Sequence, residues 1–85
     1  MLRRNYELDE YKQRKKTIRD ELKANSISFN DISEFSEIPI QSISAFLQGN
    51  NNSAEILIRI DRFIFIKLGL YFDYDRNEYL YTEGI

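Results

Sequence analysis

The chain has 85 residues, no cysteine, no histidine and a formal net charge of −2. That length supports one small domain with a modest core, and the missing thiols and imidazoles exclude disulfides and the common zinc frameworks. The balance of charge does not itself advertise a nucleic-acid binder, but its placement is uneven: Arg3, Arg4, Lys12, Arg14, Lys15, Lys16, Arg19 and Lys23 precede Ala24, and no basic residue occurs from Ala24 to Ile58.

The pattern from about Asn5 to Ala24 predicts a helix. Leu8, Tyr11, Ile18 and Leu22 keep near one face, the Lys15 stem bridges the gap between them, and the other faces are densely charged. Arg3 and Arg4 are followed by charged residues rather than an apolar run, which predicts no signal peptide and a cytoplasmic protein. No apolar run reaches membrane-spanning length, because Arg59, Asp61, Arg62 and Lys67 interrupt the greasiest segment.

A second helix is predicted to start at Ser28, whose hydroxyl can cap it while Asp31 returns a bond to the Ser28 backbone, with Ile27 and Ile32 placed for a hydrophobic staple. It ends near Ser36. A third helix runs from Pro39, suited to a first helical turn, to Gln48, with Gly49 as a left-handed stop. Ile40, Ile43, Phe46 and Leu47 form its apolar stripe, leaving a short, uncharged polar face of Gln41, Ser42, Ser44, Ala45 and Gln48.

After a polar loop of Asn50, Asn51 and Asn52, either Asn52 or Ser53 can cap a fourth helix to about Leu68, with Glu55 in capping-box spacing from Asn52. That helix is apolar almost all round, which predicts cover on more than one side. Its end, Phe63 to Leu68, is ambiguous with strand until Gly69 stops it. Residues 70–82 then alternate as a hairpin turning at Asp75 to Glu78, with Tyr74 opposite Tyr79 and Phe72 opposite Tyr81. The expected fold is therefore mainly α with a small C-terminal β-hairpin, four helices in a single domain over residues 1–85.

Few residues offer chemistry. Without His or Cys a nucleophile would need a Lys or carboxylate base, and the serines are explained by caps and helix faces, so no enzyme, catalytic residue or cofactor is expected. Asp73, Asp75 and Asn77 have the spacing that begins a calcium loop. Glu78 then stands where glycine is needed and Gly84 where the bidentate glutamate belongs, so a solvated turn is expected there and no metal.

The two short helices of residues 28–49 resemble the helix-turn-helix of phage Cro and repressor-like proteins. Ser33 matches the small residue of the first helix, Ile38 the aliphatic after the turn, Ser42 and Ile43 the hydroxyl and aliphatic pair of the second, and Gln48 with Gly49 the ending. Two positions depart from the pattern. Glu37 stands where the family has glycine, a costlier residue if that position needs positive φ, and Phe29 replaces a polar residue that contacts phosphate. The resemblance implies a dimeric transcription regulator, often a repressor carried by a phage or mobile element, whose third helix lies in the major groove of double-stranded DNA.

On that footing Ile40, Gln41, Ser44 and Ala45 become the base-reading candidates: Gln41 to adenine, Ser44 to several bases, Ile40 or Ala45 to a thymine methyl. Phosphate contacts would come from Ser28, Gln48, Asn50, Asn51, Asn52, Lys23 and the Arg3 and Arg4 arm, with Arg59 and Arg62 as further cations. A homodimer is expected through the C-terminal hairpin or the helix of residues 53–68. The alternative is a protein-interaction module, an antirepressor or inhibitor on the same fold, motivated by Asp31, Glu34 and Glu37 along the motif and by the surplus apolar surface of the fourth helix.

Overall fold

The computed structural model describes residues 2–49 and 51–82, with side chains from residue 11 onward. It contains α1 (Leu2–Ala24), α2 (Phe29–Ser36), α3 (Ile40–Leu47) and α4 (Ala54–Leu68), then β1 (Leu70–Asp73) paired antiparallel with β2 (Glu78–Tyr81). The chain is mainly helical and ends in a two-stranded hairpin, as expected. No helix among the described residues is long and apolar enough to cross a membrane.

α1 starts at Leu2 rather than Asn5, and Ile18 and Leu22 enter the core as their spacing requires. Lys15 does more than bridge a gap. It is only 2 % exposed, and its ammonium donates to the Asn51 carbonyl at 2.7 Å and to Asn52 Oδ1 at 2.8 Å. A buried ammonium is tolerated when its hydrogen bonds are met, and the Phe46 ring adds a cation–π contact, its centroid 4.6 Å from Nζ. Burial, and secondarily the charge of Arg19, holds Lys15 below the usual lysine pKa.

The start of α2 is as its residues require. Ser28 Oγ accepts from the Asp31 N–H at 3.2 Å and Asp31 Oδ2 from the Ser28 N–H at 3.0 Å, a reciprocal cap. Glu37 then adopts φ 64° and ψ 21°, the left-handed conformation that disfavours any residue with a Cβ. Replacing Glu37 by Gly is expected to stabilise the fold by about 1 kcal/mol, raising Tm by roughly 4–8 °C in a thermal melt. A lowered Tm would show that the Glu37 side chain makes a compensating contact.

Serines close the turn between α2 and α3. Ser33 Oγ donates to the Ile38 carbonyl at 2.6 Å; Ser36 Oγ donates to the Ile32 carbonyl at 2.7 Å and accepts from the Ile38 N–H at 3.3 Å. Pro39 is the N-cap of α3 rather than its first helical residue, because its ψ of 141° is extended. Its carbonyl still accepts from the N–H groups of Ser42 and Ile43. Ile43, Phe46 and Leu47 are fully buried, whereas Ile40 is 40 % exposed and leaves the apolar stripe assigned to it.

Ser53, not Asn52, caps α4, accepting from the Ile56 N–H at 3.2 Å. Glu55 consequently pairs with Arg59 at 3.0 Å instead of closing a box with Asn52. The ambiguous stretch to Leu68 is helical, and Gly69, at φ 70°, terminates it with its N–H on the Phe65 carbonyl. Ile56, Ile60, Phe63 and Ile64 fill the core. The opposite side is not covered by the described residues: Ile58, Phe65 and Ile66 are 62 %, 52 % and 55 % exposed.

The hairpin register differs from the expected one. Phe72 lies opposite Tyr79 and Leu70 opposite Tyr81, while Asp73 and Glu78 close the turn. Tyr74 therefore belongs to the turn and Glu78 to β2. Asp73 Oδ1 accepts from the N–H groups of Asp75 and Arg76, and Asn77 takes the left-handed conformation at φ 57°, so a side chain sets where the strand ends.

Arg14 locks the hairpin onto the helices. Its guanidinium, buried 3.8 Å above the Phe72 ring, donates to Tyr79 Oη and pairs with Asp61, to which Tyr79 Oη also donates at 2.6 Å. One residue from each of α1, α4 and β2 thus meets in a single polar cluster.

Candidate functional site

α3 has an anchored side and an open one. Ile43, Phe46 and Leu47 hold it to the core. On a helix of 3.6 residues per turn this places Gln41, Ala45 and Gln48 opposite the anchor, with Ser44 on the flank. Gln41 and Gln48 are exposed, Ser44 and Ala45 half-buried, and Ile40 exposed at the first turn. The five residues thus share one outward surface, presenting amide, hydroxyl and methyl groups without a formal charge. α3 packs against α2 and α1, whereas β1 packs against α4.

Two cations hold this frame through main-chain carbonyls. Arg19 donates to the Leu47 carbonyl at the end of α3, and Arg59 donates to the Ser36 carbonyl at the end of α2 at 2.9 Å. Each satisfies a carbonyl that a helix C-terminus leaves free and places positive charge at the negative end of a helix dipole. Arg19 was not among the sequence candidates. Its signal was available: it stands one helical turn from Lys15 and Lys23.

The other candidates are dispersed. Ser28 is exposed, but its hydroxyl already accepts the cap bond from Asp31. Asn51 Oδ1 accepts from the Ser53 N–H at 2.8 Å, and Asn52 Oδ1 accepts from Lys15, so only their amide N–H2 groups are left to donate. Lys23 is exposed in the last turn of α1. Arg62 lines a groove between α4 and β1 with Ile58, Phe65, Ile66, Tyr71 and Tyr74. Asn50 and the side chains of Arg3 and Arg4 lie outside the described residues.

Acidic residues also border the motif. Asp31, Glu34 and Glu37 are exposed on α2 and in the turn, and Asp31 and Glu34 line a groove with Phe63, Lys67 and Leu68 at the end of α4.

No match to this chain is found among protein-family models, curated proteins or solved structures.

Proposed function

We propose that this chain is a small, cytoplasmic, sequence-specific DNA-binding regulator of Cro or repressor type that acts as a homodimer on a two-fold operator. The observation that carries the reading is the open face of α3, where Gln41 and Gln48 project from a helix whose opposite side is fixed in the core. A helix of this kind enters the major groove, about 12 Å wide, and reads base edges through short polar and apolar side chains. Ile40, Gln41, Ser44 and Ala45 supply them. Gln48, Lys23 and the amides of Asn51 and Asn52 supply phosphate donors around the groove.

Selection from a random duplex library, followed by mobility shifts on the enriched sequence, tests this reading. A preferred sequence is expected, and replacing Gln41 and Ser44 by Ala should erase the preference at a cost of about 1–3 kcal/mol per base pair misread. Enrichment of no sequence would reject it.

The acidic stretch of Asp31, Glu34 and Glu37 favours a second reading, a module whose partner is a protein. Reversing the charges of Asp31 and Glu34 separates the two. A DNA binder gains affinity as repulsion of phosphate is relieved, whereas a module docking through its acidic face loses its partner.

A further inference from the structure

Four exposed basic residues line one side of α1, of which Arg19 also holds the Leu47 carbonyl. Lys12, Lys16, Arg19 and Lys23 follow one another at i, i+4, i+7 and i+11, a spacing that keeps them on one narrow stripe of the helix. All four are exposed. The stripe extends about 16 Å along the axis at 1.5 Å per residue. It is offset from the buried face of Tyr11, Lys15, Ile18 and Leu22.

Its direction is fixed by two long-range contacts. Arg19 donates to the Leu47 carbonyl at the end of α3, and Lys15 to Asn51 and Asn52 in the loop that follows. The stripe therefore meets the C-terminal end of α3 at Arg19, and the adjoining buried face of α1 reaches the loop through Lys15. Within the stripe, Lys16 meets Asp20 at 3.0 Å, but both side chains are largely exposed and such a pair contributes little.

We propose that Lys12, Lys16, Arg19 and Lys23 form a track for the phosphodiester backbone of a DNA duplex, alongside the groove that α3 enters. A linear row of exposed cations, in which Lys16 meets the weakly held carboxylate of Asp20 and Arg19 the Leu47 carbonyl, is the footprint of a polyanion, and each neutralised phosphate releases condensed counterions. The track rests on the duplex-binding reading of α3 for its position, not for its chemistry. It also answers the deficit of positive charge in the motif itself, where no Lys or Arg occurs between Ala24 and Ile58.

The test is fluorescence anisotropy of the full chain with a random-sequence duplex, titrated across salt from about 50 to 200 mM. Wild-type affinity is expected to fall linearly on a log–log plot. The double variant Lys12→Gln, Lys16→Gln should flatten the slope by about 2, at roughly 0.9 for each phosphate no longer neutralised, with an unchanged melting temperature. The double variant Lys67→Gln, Arg76→Gln, which removes the same net charge from α4 and the hairpin turn, should leave the slope in place.

An equal effect of the two variants, or wild-type binding without salt dependence, overturns the track. So does loss of binding to phosphatidylserine vesicles in the first variant with duplex binding unaltered, which would assign the stripe to a membrane surface. Failure of the α3 reading looks different: the random duplex still binds through the track, but no sequence is preferred and Gln41→Ala changes nothing.

Discussion

Replacing Asp61 by Ala is expected to lower the unfolding free energy by about 2–4 kcal/mol in urea denaturation, a large share of what a domain of this size has. Asp61 is the carboxylate partner of Arg14, whose guanidinium lies beneath Phe72 with Nε buried and without a hydrogen-bond partner. Removing one member of a buried pair strands the other charge, typically at about 3–5 kcal/mol. Asp61 itself retains 30 % side-chain exposure, so water relieves part of that cost. Substituting Arg14→Met together with Asp61→Leu should recover much of the stability, because no unpaired charge remains. A change below about 0.5 kcal/mol in the single variant, the size of an ordinary surface substitution, would show the cluster to be solvated.

The same cluster sets an alkaline limit. Burial pushes the Tyr79 phenol well above its ordinary value, and the charge and hydrogen bond of Asp61 push it further, outweighing the opposite pull of Arg14. Burial pulls Arg14 down, but Tyr79 and Asp61 pull it up and prevail. A tyrosine whose folded pKa exceeds its unfolded value contributes stability that is complete below about pH 10 and is lost as pH rises beyond it, at up to about 1.4 kcal/mol per pH unit. Lys15 acts in the opposite sense. Held below its ordinary value by burial and Arg19, it makes the fold slightly more stable as pH climbs toward about 10.5. The alkaline loss should therefore be steep only above both values and shallower in Tyr79→Phe.

What was legible in the sequence was local. The Ser28 and Asp31 cap, the Gly49 and Gly69 stops and the outward placement of Gln41 and Gln48 follow from one or two turns of helix. The conditional concern over Glu37 is met too, since its φ is 64°. The hairpin register was not legible, because a slip of two residues leaves every side chain on its own face. The Asp73 carboxylate, bonding the turn, and the left-handed Asn77 belong to the observed register.

The polar core was half legible. Positions 14 and 15 fall in the gap between Tyr11 and Ile18 on the buried face, which is why the Lys15 stem belongs there. Their partners, Asp61 with Tyr79 and Asn51 with Asn52, lie too far along the chain for any spacing rule to find. For the same reason Asn51 and Asn52 read as free phosphate donors in the sequence, while the structure gives their carbonyl oxygens to Lys15 and Ser53. The apolar excess of α4 was visible as a surface in want of a partner, but not that Ile58, Phe65 and Ile66 would carry it.

If the proposed homodimer binds a two-fold operator, replacing Phe65 by Asp is expected to lower affinity for a duplex carrying two half-sites by about 10²–10⁴, while leaving affinity for a single half-site unchanged. Ile58, Phe65 and Ile66 stand at i, i+7 and i+8 on the outward side of α4, with Tyr71 and Tyr74 across the groove. The inward side of the helix is already filled by Ile60 and Ile64, so rotating the helix cannot bury them. With roughly half of each side chain still exposed, burial against a second copy contributes about 1 kcal/mol per aliphatic or aromatic residue. Summed over both copies, that is comparable to the about 4–15 kcal/mol that association costs. The free protein should therefore dimerise weakly, and adjacent half-sites, by raising the effective concentration, should complete the pairing. A carboxylate at position 65 in both copies desolvates two like charges at the interface without touching the monomer core, so circular dichroism should be unchanged while sedimentation shows a smaller mass. An unaltered mass together with an unaltered two-site affinity would reject pairing through this face of α4, with the outer edge of β2 the next surface to test.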